Sequence, residues 1–202
     1  MLEWLNFSFM IFSMILFAIL YSSSTMPMTK SEKRGEKAWK ECHLLRIFAM
    51  IFEFFILVTM ILWFWLPIAT VDWLVSQFWW ISFIIGLVII IPGMILMIVG
   101  MAHAGKESHT PSKETEMYGG IYKHIRHPQT LGEMPTFIGI AFLINSWFLV
   151  LLMTVFVIIY TPIMIHFEEK DLIKRFGDPY RKYQQEVGII FPKKWFHKKV
   201  QK

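Results

Sequence analysis

The sequence holds one cysteine, few charges, and long stretches without a single basic residue. A lone thiol, Cys42, cannot form an internal disulfide or a cysteine-based zinc site, and a free thiol of this kind is ordinarily inert. His103, His109 and His124 lack zinc-like spacing with acidic partners on one face, so no metal is expected. Charged residues are only 17% of the 202 residues, 55% are hydrophobic, and the mean hydropathy is +0.50. Soluble domains carry about 25% charged residues, so a soluble protein is excluded and little chain remains for a second, water-soluble core. Met1-Leu2-Glu3-Trp4 supply no positive charge, so the first apolar run reads as a span and not as a cleaved signal peptide.

What charge there is falls in a pattern. A net charge of +5 and a pI near 9.3 would in a soluble protein raise the question of nucleic acid. Apolar runs of about 18 residues or more read as membrane spans, and they lie near 4–21, 45–66, 78–101, 131–145 and 147–166, the fourth being short and opened by Pro128. All twenty Lys and Arg residues fall in 30–46, 106–126 and the tail from 170 onward. With about five spans these three regions share one side, while Glu3, Asp72 and Asn145-Ser146 face the other. Loop basicity sets orientation, which predicts the N-terminus outside and the C-terminus in the cytoplasm. The bases therefore belong to a membrane face, and no nucleic acid partner is expected.

Gly86, Gly93 and Gly100 recur every seven residues in the third span, nearly on one helical face, and invite a close neighbour; Pro92 lies among them. Glu53 sits inside the second span, where a carboxylate is costly and usually faces a protein interior or a wet cavity. The polar chemistry otherwise gathers in two stretches. One runs from Gly119-Gly120 through Tyr122, Arg126 and His127 to Pro128, with Pro128 suited to the first turn of a helix and His127 pushed toward an extended conformation. The other begins at His166 and carries Glu168 and Glu169, a helix stop at Phe176-Gly177, and a new helix capped by Asp178 with Pro179 behind it.

Together these stretches resemble the signature of the integral-membrane methyltransferases that include isoprenylcysteine carboxyl methyltransferase and the phospholipid N-methyltransferases. The matching residues are Gly120, Tyr122, Arg126-His127-Pro128, Gly132, Glu168-Glu169, Leu172, Phe176-Gly177, Tyr180, Tyr183 and Pro192. The resemblance implies an all-α integral membrane protein, one methyltransferase domain over 1–202, whose cytoplasmic segment 167–202 helps bind S-adenosylmethionine (SAM). It implies cofactor-binding roles for Gly120, Tyr122, Arg126, His127, Pro128, Glu168, Glu169 and Tyr180, and a lipophilic acceptor arriving from the bilayer. Two positions depart from the pattern. Thr130 stands where a tyrosine is usual, and Met164 where carboxyl methyltransferases place an arginine, with His166 the nearest polar replacement. Losing that arginine removes a natural partner for a carboxylate substrate.

Methyl transfer from a sulfonium needs alignment and exclusion of water more than acid–base help. Glu168 or Glu169 suits the cofactor's ammonium, Arg126 and the backbone near His127 its carboxylate, and Tyr122 or Tyr180 its adenosine. Glu133 and His166 sit at matching depth on the fourth and fifth spans, and either is a candidate to accept a proton from an amine or thiol. The acceptor is expected to be an isoprenylcysteine carboxyl group, a phospholipid amine or a related small membrane-soluble nucleophile. The alternatives are an NADPH-dependent sterol-type membrane reductase and a non-catalytic lipid-binding scaffold.

Overall fold

A computed structural model describes residues 1–108, 110 and 119–190. Pro192, Phe191, His109 and the rest of 191–202 lie outside the described residues. Among those described, the architecture is all-α: α1 (Leu2–Ser24), α2 (Pro27–Arg34), α3 (Lys37–Leu62), α4 (Trp79–Ala104), α5 (Pro128–Leu143), α6 (Trp147–Phe176) and α7 (Asp178–Glu186), with short 3₁₀ turns at Gly105–Ser108 and Gly120–Lys123.

Four of these helices, α1, α3, α4 and α6, are long and apolar enough to cross a membrane. This differs from the five spans expected, because the fourth run folds as a helix of 16 residues, about 24 Å long at 1.5 Å per residue. Its limits have local causes. Pro128 occupies its first turn, and Asn145, with φ at 63°, turns the chain directly into α6. The amide of Asn145 closes that turn by accepting from Ser76 N and donating to Ser76 O, each at 3.0 Å. Ser146 caps α6 by accepting from Leu149 N at 3.2 Å and donates its own hydroxyl to Asp72.

The glycines at seven-residue spacing do meet a neighbour. Along an antiparallel seam, Gly86 faces Gly139, Gly93 faces Gly132, and Gly100 faces Gln129 and Pro128. A Cβ on Gly93 would stand 2.6 Å from the carbonyl oxygen of Gly132, so the α4 and α5 backbones approach as closely as two helices can. Helix α4 continues through Pro92. On the other side, α1, α3, α5 and α6 enclose a core around Met10, Phe17, Ile56, Trp63, Leu149 and Met153, in which the Trp63 and Phe148 rings stack at 5.2 Å. The outer faces of the long helices expose Phe54, Ile61, Val88, Ile158 and other large apolar side chains, as suits contact with lipid.

Helix α6 runs ten residues beyond the apolar stretch 147–166 before Gly177, in the left-handed region at φ 66°, ends it. Glu168 and Glu169 therefore ride on the same rigid helix that crosses the apolar layer. Helix α7 starts at Asp178, with Gly177 in the capping position that the sequence had suggested for Asp178.

Candidate active site

The stretch before α5 and the last turns of α6 come together at one end of the bundle. His127 precedes α5 with φ −124° and ψ 59°, and its ring is inserted between the paired glutamates: Nδ1 is 3.1 Å from Glu168 Oε2, and Nε2 is 3.1 Å from Glu169 Oε1. The side chain is 4% exposed. Burial opposes its charge, but the hydrogen bonds and negative charges of both glutamates outweigh burial and push His127 up to about 9. It is an imidazolium at neutral pH.

Arg126 is a tie. Its Nε donates to Glu169 Oε1 at 2.7 Å, and its Nη1 donates to Gln184 O at 3.0 Å and to Val187 O. Arg126 N donates to Gly188 O at 3.0 Å, so Ile125 and Gly188 form a single parallel bridge. These contacts bind the α7 end of the chain to the start of α5. Tyr183 adds another, donating its hydroxyl to Tyr122 O at 2.5 Å.

Inside this frame lies a polar cavity. Of the residues proposed from sequence, Tyr122, Arg126, His127, Glu168 and Tyr180 line it. Burial and the charge of Glu168 keep the Tyr122 phenol well above its usual range, and burial with the charges of Glu169 and Glu168 does the same for Tyr180. Tyr183, buried but offset by Arg126, is pushed up to about 12. All three phenols stay neutral donors. Glu169 stands behind the cavity with Arg126. Gly120 and Pro128 do not line it: Gly120, at φ 57°, packs on the His103 ring with no room for a Cβ, and Pro128 packs on Gly100. His166 is exposed and lines a separate outer groove with Ile189 and Ile190, so it does not share a cavity with Glu133.

Sequence reasoning missed Arg46, Gln129 and Ser108. Arg46 reaches the cavity from α3, donates from Nη1 to Ser108 O at 3.1 Å, and lies within electrostatic reach of Glu168 and Glu133. Gln129 donates from Nε2 to the Tyr122 hydroxyl at 2.9 Å and to Ser108 Oγ at 3.0 Å. A base at the edge of an apolar run looks like an interfacial anchor; the one available signal was Glu53, two turns further along the same face.

One carboxylate, two guanidinium groups and four phenols around one cavity, set over an apolar layer, suit a zwitterionic, ring-bearing ligand that reacts with something dissolved in lipid. Residues 81–179 match the phospholipid methyltransferase family. The chain is similar to that family over these residues. It is also 30% identical over 141 residues to a methanethiol S-methyltransferase of a Pseudomonas species, covering 64% of this chain and 53% of that one. Methanethiol S-methyltransferase 1 of Bradyrhizobium diazoefficiens is 36% identical over 88 residues, 44% of this chain and 29% of that one. The enzyme of that name from Mycobacterium tuberculosis is 32% identical over 78 residues, 39% and 30% of the two chains. The match thus spans about half the length of the Pseudomonas relative and under a third of the other two. No solved structure matches this chain.

Proposed function

We propose that this chain is a phospholipid methyltransferase family member that transfers a methyl group from SAM to a small alkyl thiol reaching the site through the membrane. The observation that carries the reading is the donor set of the polar cavity, which fits the cofactor's chemistry. Glu168 would hold the ammonium, Arg46 the carboxylate, and Tyr122, Tyr180 and Gln129 the adenosine. Arg126, the carboxylate partner suggested by the sequence, commits its Nε and Nη1 to Glu169, Gln184 and Val187, so Arg46 is assigned that place. When bound, the cofactor supplies an electrophilic methyl group on a sulfonium. The protein's part is to hold the donor, keep water out and present the acceptor from the apolar side.

The thiol acceptor is favoured over a carboxylate by Met164, which leaves no arginine on the fifth apolar run to pair with one. The names of the three relatives point the same way. In this reading α5 completes a fifth crossing beside α4, the residues form one methyltransferase unit, and the basic side, with the polar cavity, is cytoplasmic while the N-terminus is outside.

The test is purified protein with SAM and methanethiol, followed by headspace detection of dimethyl sulfide, with phosphatidylethanolamine vesicles and a prenylcysteine peptide as parallel acceptors. Dimethyl sulfide formation, together with binding of S-adenosylhomocysteine that weakens in Arg46→Met, is the expected result. Failure to bind S-adenosylhomocysteine overturns the reading, and binding of NADPH in its place favours a reductase. Binding without transfer to any acceptor favours a lipid-binding scaffold.

A further inference from the structure

The polar strip that lines the cofactor cavity continues into the apolar layer. Arg46 and Glu53 are seven residues apart on α3, and Gln129 and Glu133 are one turn apart on α5, so each pair lies along one helical face. Beyond Thr130 these two faces open on a second cavity of about 340 Å³, lined by Glu53, Glu133, Leu57, Met94, Met97 and Phe137. The walls are hydrocarbon and thioether apart from the two carboxyl groups and Thr136, whose hydroxyl is committed to Gly132 O at 3.0 Å.

Glu53 from α3 and Glu133 from α5 both line this cavity, close enough for their carboxyl groups to interact. A hydrogen bond between two carboxyl groups requires a proton between them, and a second negative charge at that distance is strongly disfavoured. A pair in this relation that carries one proton keeps one carboxylate able to take a second. It stands in the apolar layer within electrostatic reach of Arg46, a wall of the donor cavity.

We propose that this second cavity is the acceptor site and that the Glu53–Glu133 pair is the base that removes the acceptor's proton. The inference rests on the thiol reading above and deepens it. A neutral alkyl thiol partitions readily into such a cavity, but its nucleophile is the thiolate, and apolar surroundings oppose ionisation. A base that accepts the proton on contact resolves the conflict. In the transfer, the S–H bond breaks and its proton goes to the carboxylate oxygen of the pair. The thiol sulfur forms a new S–C bond to the methyl carbon, and the bond from that carbon to the sulfonium breaks with its electrons going to the donor sulfur. The products are a thioether, the neutral demethylated donor and a doubly protonated pair, which returns its extra proton to water. The cavity is much larger than methanethiol, so the site accepts thiols with longer alkyl chains.

The test compares the full-length wild type with Glu53→Gln and Glu133→Gln in detergent or vesicles, using ethanethiol and the more acidic thiophenol. Each variant should bind S-adenosylhomocysteine as wild type does and lose about 10²–10⁴-fold in kcat/KM with ethanethiol, with a far smaller loss for thiophenol, which is already largely ionised. A second readout is the pH profile. With ethanethiol the wild-type kcat/KM should level off above the pH at which the pair has lost its second proton, whereas in each variant it should go on rising toward the thiol's own ionisation. Variants that methylate ethanethiol within about threefold of wild type, or whose profile levels off as the wild type's does, overturn the proposal while leaving the thiol reading intact. A wild type that methylates a lipid amine but no thiol overturns the reading itself.

Discussion

The ring of His127 stands 3.1 Å from Glu168 through its Nδ1, and this contact, with its mirror at Glu169, makes His127 a buried cation at the mouth of the polar cavity. Its folded-state value, up to about 9, lies above the 6.5 of an ordinary histidine. A raised value means that the folded protein holds the proton more tightly than the unfolded chain does. The contribution to stability is complete below about pH 6.5 and is lost as pH rises through about 9. Thermal unfolding followed from pH 6 to pH 10 should show wild-type Tm falling relative to His127→Gln, with the gap largest at the acid end. A gap that stays constant across the range would contradict the charged assignment.

Arg126→Ala leaves Glu169 without its closest cation and Gln184 and Val187 without a donor. Both charged side chains are largely buried, at 6% and 14% exposure. Removing one partner of such a pair costs about 3–5 kcal/mol. Chemical denaturation should register that loss, and proteolysis should reach the α7 end of the chain sooner. Arg126→Lys should recover only part, because an ammonium cannot reproduce the fork that serves Glu169 and two carbonyls together.

Gly93→Ala tests the seam between α4 and α5. The new methyl group would meet the Gly132 carbonyl oxygen, at 2.6 Å, with only backbone to move aside. Overpacking of this kind costs about 1–3 kcal/mol, and the measured Tm should fall accordingly.

Asp171 is 2% exposed and accepts from Met28 N at 3.1 Å and Thr29 N at 2.6 Å. A carboxylate from the end of α6 thus serves the first turn of α2, a helix with no side-chain cap of its own. Asp171→Ala should lower stability by about 1–3 kcal/mol, and hydrogen exchange at Met28 and Thr29 should accelerate more than elsewhere.

Much of this architecture is written in short local patterns of the chain. Arg126, His127, Glu168 and Glu169 carry an ordered pattern, and Pro128, Phe176 and Gly177 are local signals that fix helix ends within a residue. The fourth apolar run anticipated α5 and the turn at Asn145-Ser146, but not what closes that turn, because Asn145 is held by hydrogen bonds to Ser76, a residue far away in sequence. Arg46, Asp171 and the meeting of Glu53 with Glu133 were illegible for the same reason. Each acquires its meaning only from a partner on another helix, and a single sequence carries no trace of such pairings. His166, in turn, has the right depth but the wrong azimuth, which periodicity on an irregularly apolar helix does not resolve.

The polar cavity, as it stands, has about 70 Å³ of free space, room for a few water molecules. A nucleotide-sized donor enters only if the walls separate. Gly100 packs against Gln129 and Pro128, which holds the α5 side of the cavity, while on the opposite side α7 hangs from Gly177 and is latched through Arg126 and Tyr183. The molecule is thus stiff where the two glycine faces meet and yielding where its chain folds back. On the proposed reading, donor affinity would depend on these latch contacts as well as on the residues that touch the ligand.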